Sequence, residues 1–151
     1  MQTFSKSRSM AGARLGFGIA SSELISDLNT IKYSTNPYNV NSMTLSAGIG
    51  ALEDEDYTKR NIKEIIENRE YVKKELKALG FSLTDSYANF VFAKHNVLSG
   101  KEIYLKLRQK GVLVRHFEKE KISQYNRITI GNKEQTEILI SKIKEILEET
   151  K

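Results

Sequence analysis

The sequence has no cysteine and no tryptophan, one proline, and two histidines. Without cysteine there is neither a disulfide framework nor a thiolate metal site, which suits a reducing compartment. His95 and His116 stand apart, with no carboxylate at a ligand-like spacing, so no metal is expected. No apolar run is long enough to span a bilayer and no secretory leader is legible. The expectation is a soluble, cytoplasmic protein with no membrane partner. The formal charge of +5 raises nucleic acid as a partner. The basic residues, however, are not gathered into a stripe with aromatics between them, as such a partner requires. Acidic and basic residues alternate through 53–76 and 133–151, the pattern of solvated helix faces, so nucleic acid is not expected.

What is present suits one domain, or a small domain with an appendage, since 151 residues can bury a core. Residues 3–20 read as two short extended pieces, around "TF" and "LGFGIA", joined by a loop rich in serine and glycine. "SSELISDLNTIK" (21–32) has a serine cap and Leu24, Ile25, Leu28 and Ile31 along one side, so it predicts an amphipathic helix. Pro37 biases Asn36 towards an extended backbone, and a second helix is expected from Asn41 or Ser42.

The longest helix is expected over 57–79, where Ile62, Ile65, Ile66, Val72, Leu76 and Leu79 keep the helical period and Gly80 supplies the stop. Beyond it the sequence alternates. Strands are expected at "FSLTDS", "NFVFAKH", "VLVRHF" and "RITIG", with helices at "SGKEIYLKLRQKG" and from Lys133 onward. The last helix carries Leu139, Ile143, Ile146 and Leu147 as its buried stripe. That order implies an α/β fold in which helices cover a short sheet, over roughly ninety residues.

The stretch "TFSKSRSMAGARLGFG" (3–18) sets one lysine among hydroxyls, small residues and arginines. A bare backbone and guanidinium forks can approach a phosphate closely. A lysine amine forms Schiff bases with carbonyl compounds when it is desolvated or near another cation. An aldehyde plus a phosphate describes pyridoxal phosphate. A dinucleotide site at "GFGIAS" is not supported, because the third glycine and the following helix of that motif are missing.

In its order and spacing this segment resembles the lysine segment of the fold-type I pyridoxal-phosphate aminotransferases, in the histidinol-phosphate aminotransferase branch. The resemblance implies that Lys6 forms the Schiff base and moves a proton between substrate carbon and cofactor, while Thr3 and Arg14 hold the cofactor phosphate. Ser5 and Arg8 receive no role, and Ala13 stands where the family more often has leucine. The segment "NPYNVNSMT" looks like the family's passage beside the cofactor site, and "SYANFVFAK" is similar to its first small-domain strand, which places Asn89 near the substrate carboxylate. "KGVLVRHF" and "NRITIG" look like its two late strands. By resemblance Arg127 grips the substrate α-carboxylate and Arg115 reaches the substrate's phosphate. Strand alternation puts Arg127 and Thr129 on one face and Ile128 and Ile130 on the other. Read without the resemblance, either arginine is an ordinary sheet-face residue, and Tyr38, Asn89 and His116 are packing or capping residues.

The resemblance covers nearly the whole sequence but only the C-terminal part of the family's length. It divides the sequence into 1–56, a remnant of the cofactor-binding large domain, and 57–151, a small C-terminal α/β domain entered by the long helix. In the family, an aromatic on the cofactor ring, an asparagine on its oxygen and an aspartate on its nitrogen all precede the lysine, and here five residues do. The expectation is a natural gene fragment, an excised domain or one piece of a split protein, inactive alone and completed by a missing N-terminal half or a homodimer. Residues 1–20 are then expected to lack the strand neighbours they have in the family and to be mobile or in an intermolecular contact. The substrates implied are histidinol phosphate or a related amino acid, an aromatic one included, and a 2-oxo acid. The alternative is a non-catalytic small domain that self-associates or binds another polypeptide.

Overall fold

Four of the expected helix starts are set by side chains that accept a backbone N–H three residues on, which satisfies donors the first turn leaves free. The computed structural model describes residues 1–150. In it Ser21 caps α2 (Ser22–Thr35), Asn41 caps α3 (Ser42–Glu53), and Ser99 caps α5 (Gly100–Gln109). Asn132 opens α6 (Lys133–Glu148) through a reciprocal capping box with Gln135. The longest helix, α4 (Glu55–Ala78), begins two residues before the expected start, where the Asp54 carboxylate accepts from Tyr57 N–H at 3.1 Å. Helix α2 runs three residues beyond its expected end and stops at Asn36, which is extended ahead of Pro37.

The residues fall into two compact units, Met1–Ile62 and Lys63–Lys151. In the first, β1 (Gln2–Thr3) pairs antiparallel with β2 (Gly16–Phe17), Thr3 opposite Gly16. The two extended pieces thus pair with each other, each as a two-residue strand, and each keeps an unpaired outer edge. Between them lie α1 (Phe4–Ser7) and a short 3-10 turn at Ala11–Ala13. Phe4 is the buried anchor of this unit, its ring edge-on to Phe17 at 5.9 Å. The expected apolar stripe of α2 forms, but no residue of that helix is buried.

The second unit is a four-stranded antiparallel sheet in the order β3-β4-β6-β5, formed by Phe81–Leu83, Phe90–His95, Asn126–Thr129 and Arg115–His116. Val91, Ala93 and Ile128 point to one face, where they join Val72 and Leu76 of α4, Ile103 and Leu107 of α5, and Leu139, Ile140, Ile143 and Ile146 of α6 in a single apolar cluster. The fold is the expected α/β arrangement, a short sheet covered by helices with a long helix leading in. Alternation leaves the other face to Phe90, Phe92, Lys94, Arg127 and Thr129. Strand β5 is shorter than "VLVRHF" suggests. Gly111, at φ +80°, turns the backbone after α5 so that Val112 N–H bonds to Leu107 carbonyl at 2.9 Å, which takes it out of any sheet ladder.

Candidate functional site

Thr3, Lys6 and Arg14 all lie in the first unit and are exposed. Thr3 closes β1. Lys6 sits within the single turn of α1 rather than in the open loop its serines suggest. Two bonds shape that turn, from Phe4 N–H to Leu15 carbonyl at 3.0 Å and from Arg8 N–H to Phe4 carbonyl at 3.1 Å. Ser9 and Arg14 both adopt left-handed backbone, at φ 55° and 54°, which costs a residue with a Cβ. Arg14 donates to the carbonyl of its own turn, Ala11, at 3.0 Å. The structure shows no hydrogen bond among the three side chains, and among the described residues no carboxylate pairs with Lys6.

Arg8, which sequence reasoning left without a role, reaches across this unit. Its guanidinium donates to Thr58 Oγ1, and that hydroxyl in turn donates to Asp54 carbonyl at 3.2 Å. The α1 turn is thereby tied to the first turn of α4. Thr3, Ser7, Arg8 and Thr58 line a cleft of about 170 Å³ beside Phe4, and neither Lys6 nor Arg14 reaches it.

In the second unit, Arg115 and Arg127 are brought together more closely than the sequence could say. They stand directly opposite each other in the β5–β6 pairing, and Arg127 is also opposite Phe92 of β4. Each guanidinium lies over a phenylalanine, Arg127 on Phe90 at 5.5 Å and Arg115 on Phe117 at 5.6 Å. Phe92 stacks flat on Tyr125 at 4.6 Å, and Lys94 Nζ lies 5.6 Å from the Tyr125 ring centre. The open face therefore carries cations on an aromatic floor. Like charges directly opposite on a sheet are destabilising, and among the described residues no carboxylate pairs with either arginine. An anion placed between them would relieve the repulsion and take charge-assisted bonds from both.

Asn89 is half-buried in the bend before β4, and its carbonyl accepts from Ile130 N–H at 2.9 Å. The bend is held by a residue not foreseen from the sequence. Arg69 of α4, 6% exposed, donates to Ala88 carbonyl at 3.1 Å and from Nε to Glu70 at 3.2 Å. Its neighbour Asn68 donates to Gly131 carbonyl at 3.0 Å, just beyond the end of β6. The signal was present, since both polar residues fall on the helix face that carries Val72 and Leu76. Among the described residues no cluster of three His, Asp or Glu side chains could hold a metal, and no helix is long and apolar enough to cross a membrane.

Three comparisons bear on these observations. The histidinol-phosphate aminotransferase of Brachyspira hyodysenteriae is 47% identical over 147 residues, which is 97% of this chain and 42% of that protein. The chain thus spans about two fifths of the length of the curated relatives it matches. The crystal structure of the histidinol-phosphate aminotransferase from Clostridium acetobutylicum superposes with a TM-score of 0.83 at 25% identity, covering 95% of this chain and 44% of that one. The Sinorhizobium meliloti histidinol-phosphate aminotransferase, solved in complex with pyridoxal-5'-phosphate, shares the fold at a TM-score of 0.82 and 22% identity, over 99% of this chain and 40% of its own. Residues 1–143, from β1 and the lysine turn through both arginine strands and most of α6, match the class I and II aminotransferases, and the chain belongs to that family.

Proposed function

We propose that this chain supplies the lysine segment and the small domain of an aminotransferase that exchanges an amino group between histidinol phosphate, or a related amino acid such as an aromatic one, and a 2-oxo acid. Residues 1–56 belong in this reading to the cofactor-binding domain and 57–151 to the small domain. The observation that carries it is the pair of like-charged arginines on the open sheet face. Arg127, in an inner strand, takes the carboxylate of the amino acid or 2-oxo acid through two parallel N–H bonds, and Arg115, on the edge strand, takes the phosphate of histidinol phosphate. The bend at Asn89 borders the same face.

The residues present fit one end of pyridoxal phosphate. Thr3 offers a hydroxyl, Lys6 an exposed amine, and Arg14 a guanidinium with N–H groups to spare beyond its bond to Ala11. When bound, that cofactor supplies an aldehyde that condenses with amines and a ring that withdraws electrons from neighbouring bonds. Thr3 and Arg14 would hold its phosphate, and Lys6 would hold and move a proton at Nζ. The chain covers 42% of the length of the Brachyspira hyodysenteriae relative, so transamination is proposed of an assembled protein and not of these 151 residues alone.

The test is to add pyridoxal phosphate to the purified chain, follow the visible spectrum, reduce with borohydride and map the modified lysine by mass spectrometry. Saturable labelling concentrated at Lys6, abolished together in Thr3→Ala and Arg14→Ala, supports the reading. Labelling scattered over the lysines overturns the assignment of Lys6. A second reading, self-association or binding of another polypeptide, is favoured by one observation: Leu24, Leu28 and Ile31 of α2 are all more than half exposed. A homodimer would cover such a stripe.

A further inference from the structure

Asn126 opens β6 on its core side and is only 2% exposed. Its Nδ2 donates to Gly100 carbonyl at 2.8 Å, which fixes the orientation of the amide, because only the NH₂ end can face a carbonyl. Oδ1 is then left facing His116 Nδ1 at 3.2 Å, and since an amide oxygen only accepts, the proton is on Nδ1. The His116 ring also stacks on Tyr104 of α5 at 5.7 Å. One buried carboxamide thus ties the first residue of α5, the edge strand β5 and the inner strand β6. Gly100 makes the approach possible. A Cβ there would come within 2.7 Å of Ser123 carbonyl oxygen and 2.8 Å of Gln124 carbonyl carbon, both main-chain atoms that cannot move aside cheaply.

The two arginines do not need this tie equally. Arg127 is held in a strand with neighbours on both sides. Arg115 is on a two-residue edge strand, where it faces the like charge of Arg127 and has His116 as its only partner within the strand. We infer that Gly100, Asn126 and His116 are positioning residues that hold Arg115 opposite Arg127, and that they thereby set a preference for ligands with two anionic groups over ligands with one. The inference rests on reading the arginine pair as an anion site.

Two four-carbon probes separate the cases, succinate with two carboxylates and butyrate with one, titrated into the chain while the side-chain Nε–H resonances of Arg115 and Arg127 are followed by NMR. In the wild type, succinate shifts both resonances and binds about tenfold more tightly than butyrate, the effect of one added charge-assisted contact. In Asn126→Ala and in Gly100→Ala the preference falls to near one and the Arg115 shift is lost, while butyrate still shifts Arg127. His116→Phe keeps a ring on Tyr104, removes only the Nδ1 donor, and gives the same result. It carries the test by itself if the other two variants lose their dispersed amide spectrum. A general structural role would weaken both probes together. A folded His116→Phe with the wild-type preference overturns the inference and leaves the anion site standing. No response of either arginine to succinate in the wild type overturns the anion site, and the inference with it.

Discussion

At the scale of single residues, the informative positions are polar groups where the pattern calls for apolar ones. Arg69 and Asn68 lie on the buried side of α4, and their bonds to Ala88 and Gly131 carbonyls fix the bend before β4 and the turn after β6. Arg69→Met keeps the stem that packs there but leaves the Ala88 carbonyl without its donor, so unfolding free energy should fall by about 1–3 kcal/mol. A urea titration measures this, and an unchanged midpoint would show that the bend does not depend on the arginine. Arg127 was legible down to its face, because alternation with Ile128 and Ile130 is enough to expose it. The position of Arg115 opposite it was not, since strand register depends on long-range pairing that no local pattern encodes.

At the scale of elements, helices were more legible than strands. Caps at Ser21, Asn41 and Ser99 and the apolar period of α4 are local signals that the structure keeps within a few residues. Strand β5 shows why the rest was not legible. Val112 and Val114 are half-buried against the core while Leu113 is exposed, so the alternation is real, yet only Arg115 and His116 have a partner strand to bond. Period two reports burial, not pairing. Helix α6 offers a direct test of local encoding. Asn132 and Gln135 satisfy each other's backbone N–H at 2.9 and 3.1 Å, so Asn132→Ala should cost about 1 kcal/mol and Asn132→Gly only a few tenths. No loss in Asn132→Ala would show that the cap bond does not contribute.

At the scale of the whole molecule, the surface ion pairs set the dependence of stability on pH. The Lys59 ammonium bonded to Glu55, Lys73 to Glu70 and Lys142 to Glu145 hold these three carboxyls below their ordinary 4.5. A depressed folded value contributes stability that is present above 4.5 and is lost as pH falls through that folded value. Lys110, bonded first to Glu149 and then to Glu145, is raised above its ordinary 10.5, so its contribution is present below 10.5 and is lost as pH rises through the raised value. A plateau across neutral pH with a loss on either side is the expected urea-midpoint profile. All four groups face solvent, so high salt should flatten both shoulders. A profile indifferent to salt would move the cause to other groups.

The two units differ in what they bury. Every member of the apolar cluster lies between Val72 and Ile146, whereas Met1–Ile62 buries Phe4 and leaves Leu24, Leu28, Ile31, Met43 and Ile49 at least half exposed. A helix with a coherent apolar side turned to water loses the transfer free energy that would otherwise fix it, about 25 cal/mol for each Å² left uncovered. The sequence showed the stripe of α2 plainly but could not show whether anything covers it, because amphipathicity states a demand for a partner and not the partner's presence. If the stripe drives association, Leu28→Lys should lower binding of an apolar dye and shift the sedimenting species towards monomer, with the melting of the second unit unchanged. If the wild type is already monomeric at high concentration and binds no dye, the self-association reading fails and the proposal rests on the arginine pair and the lysine turn.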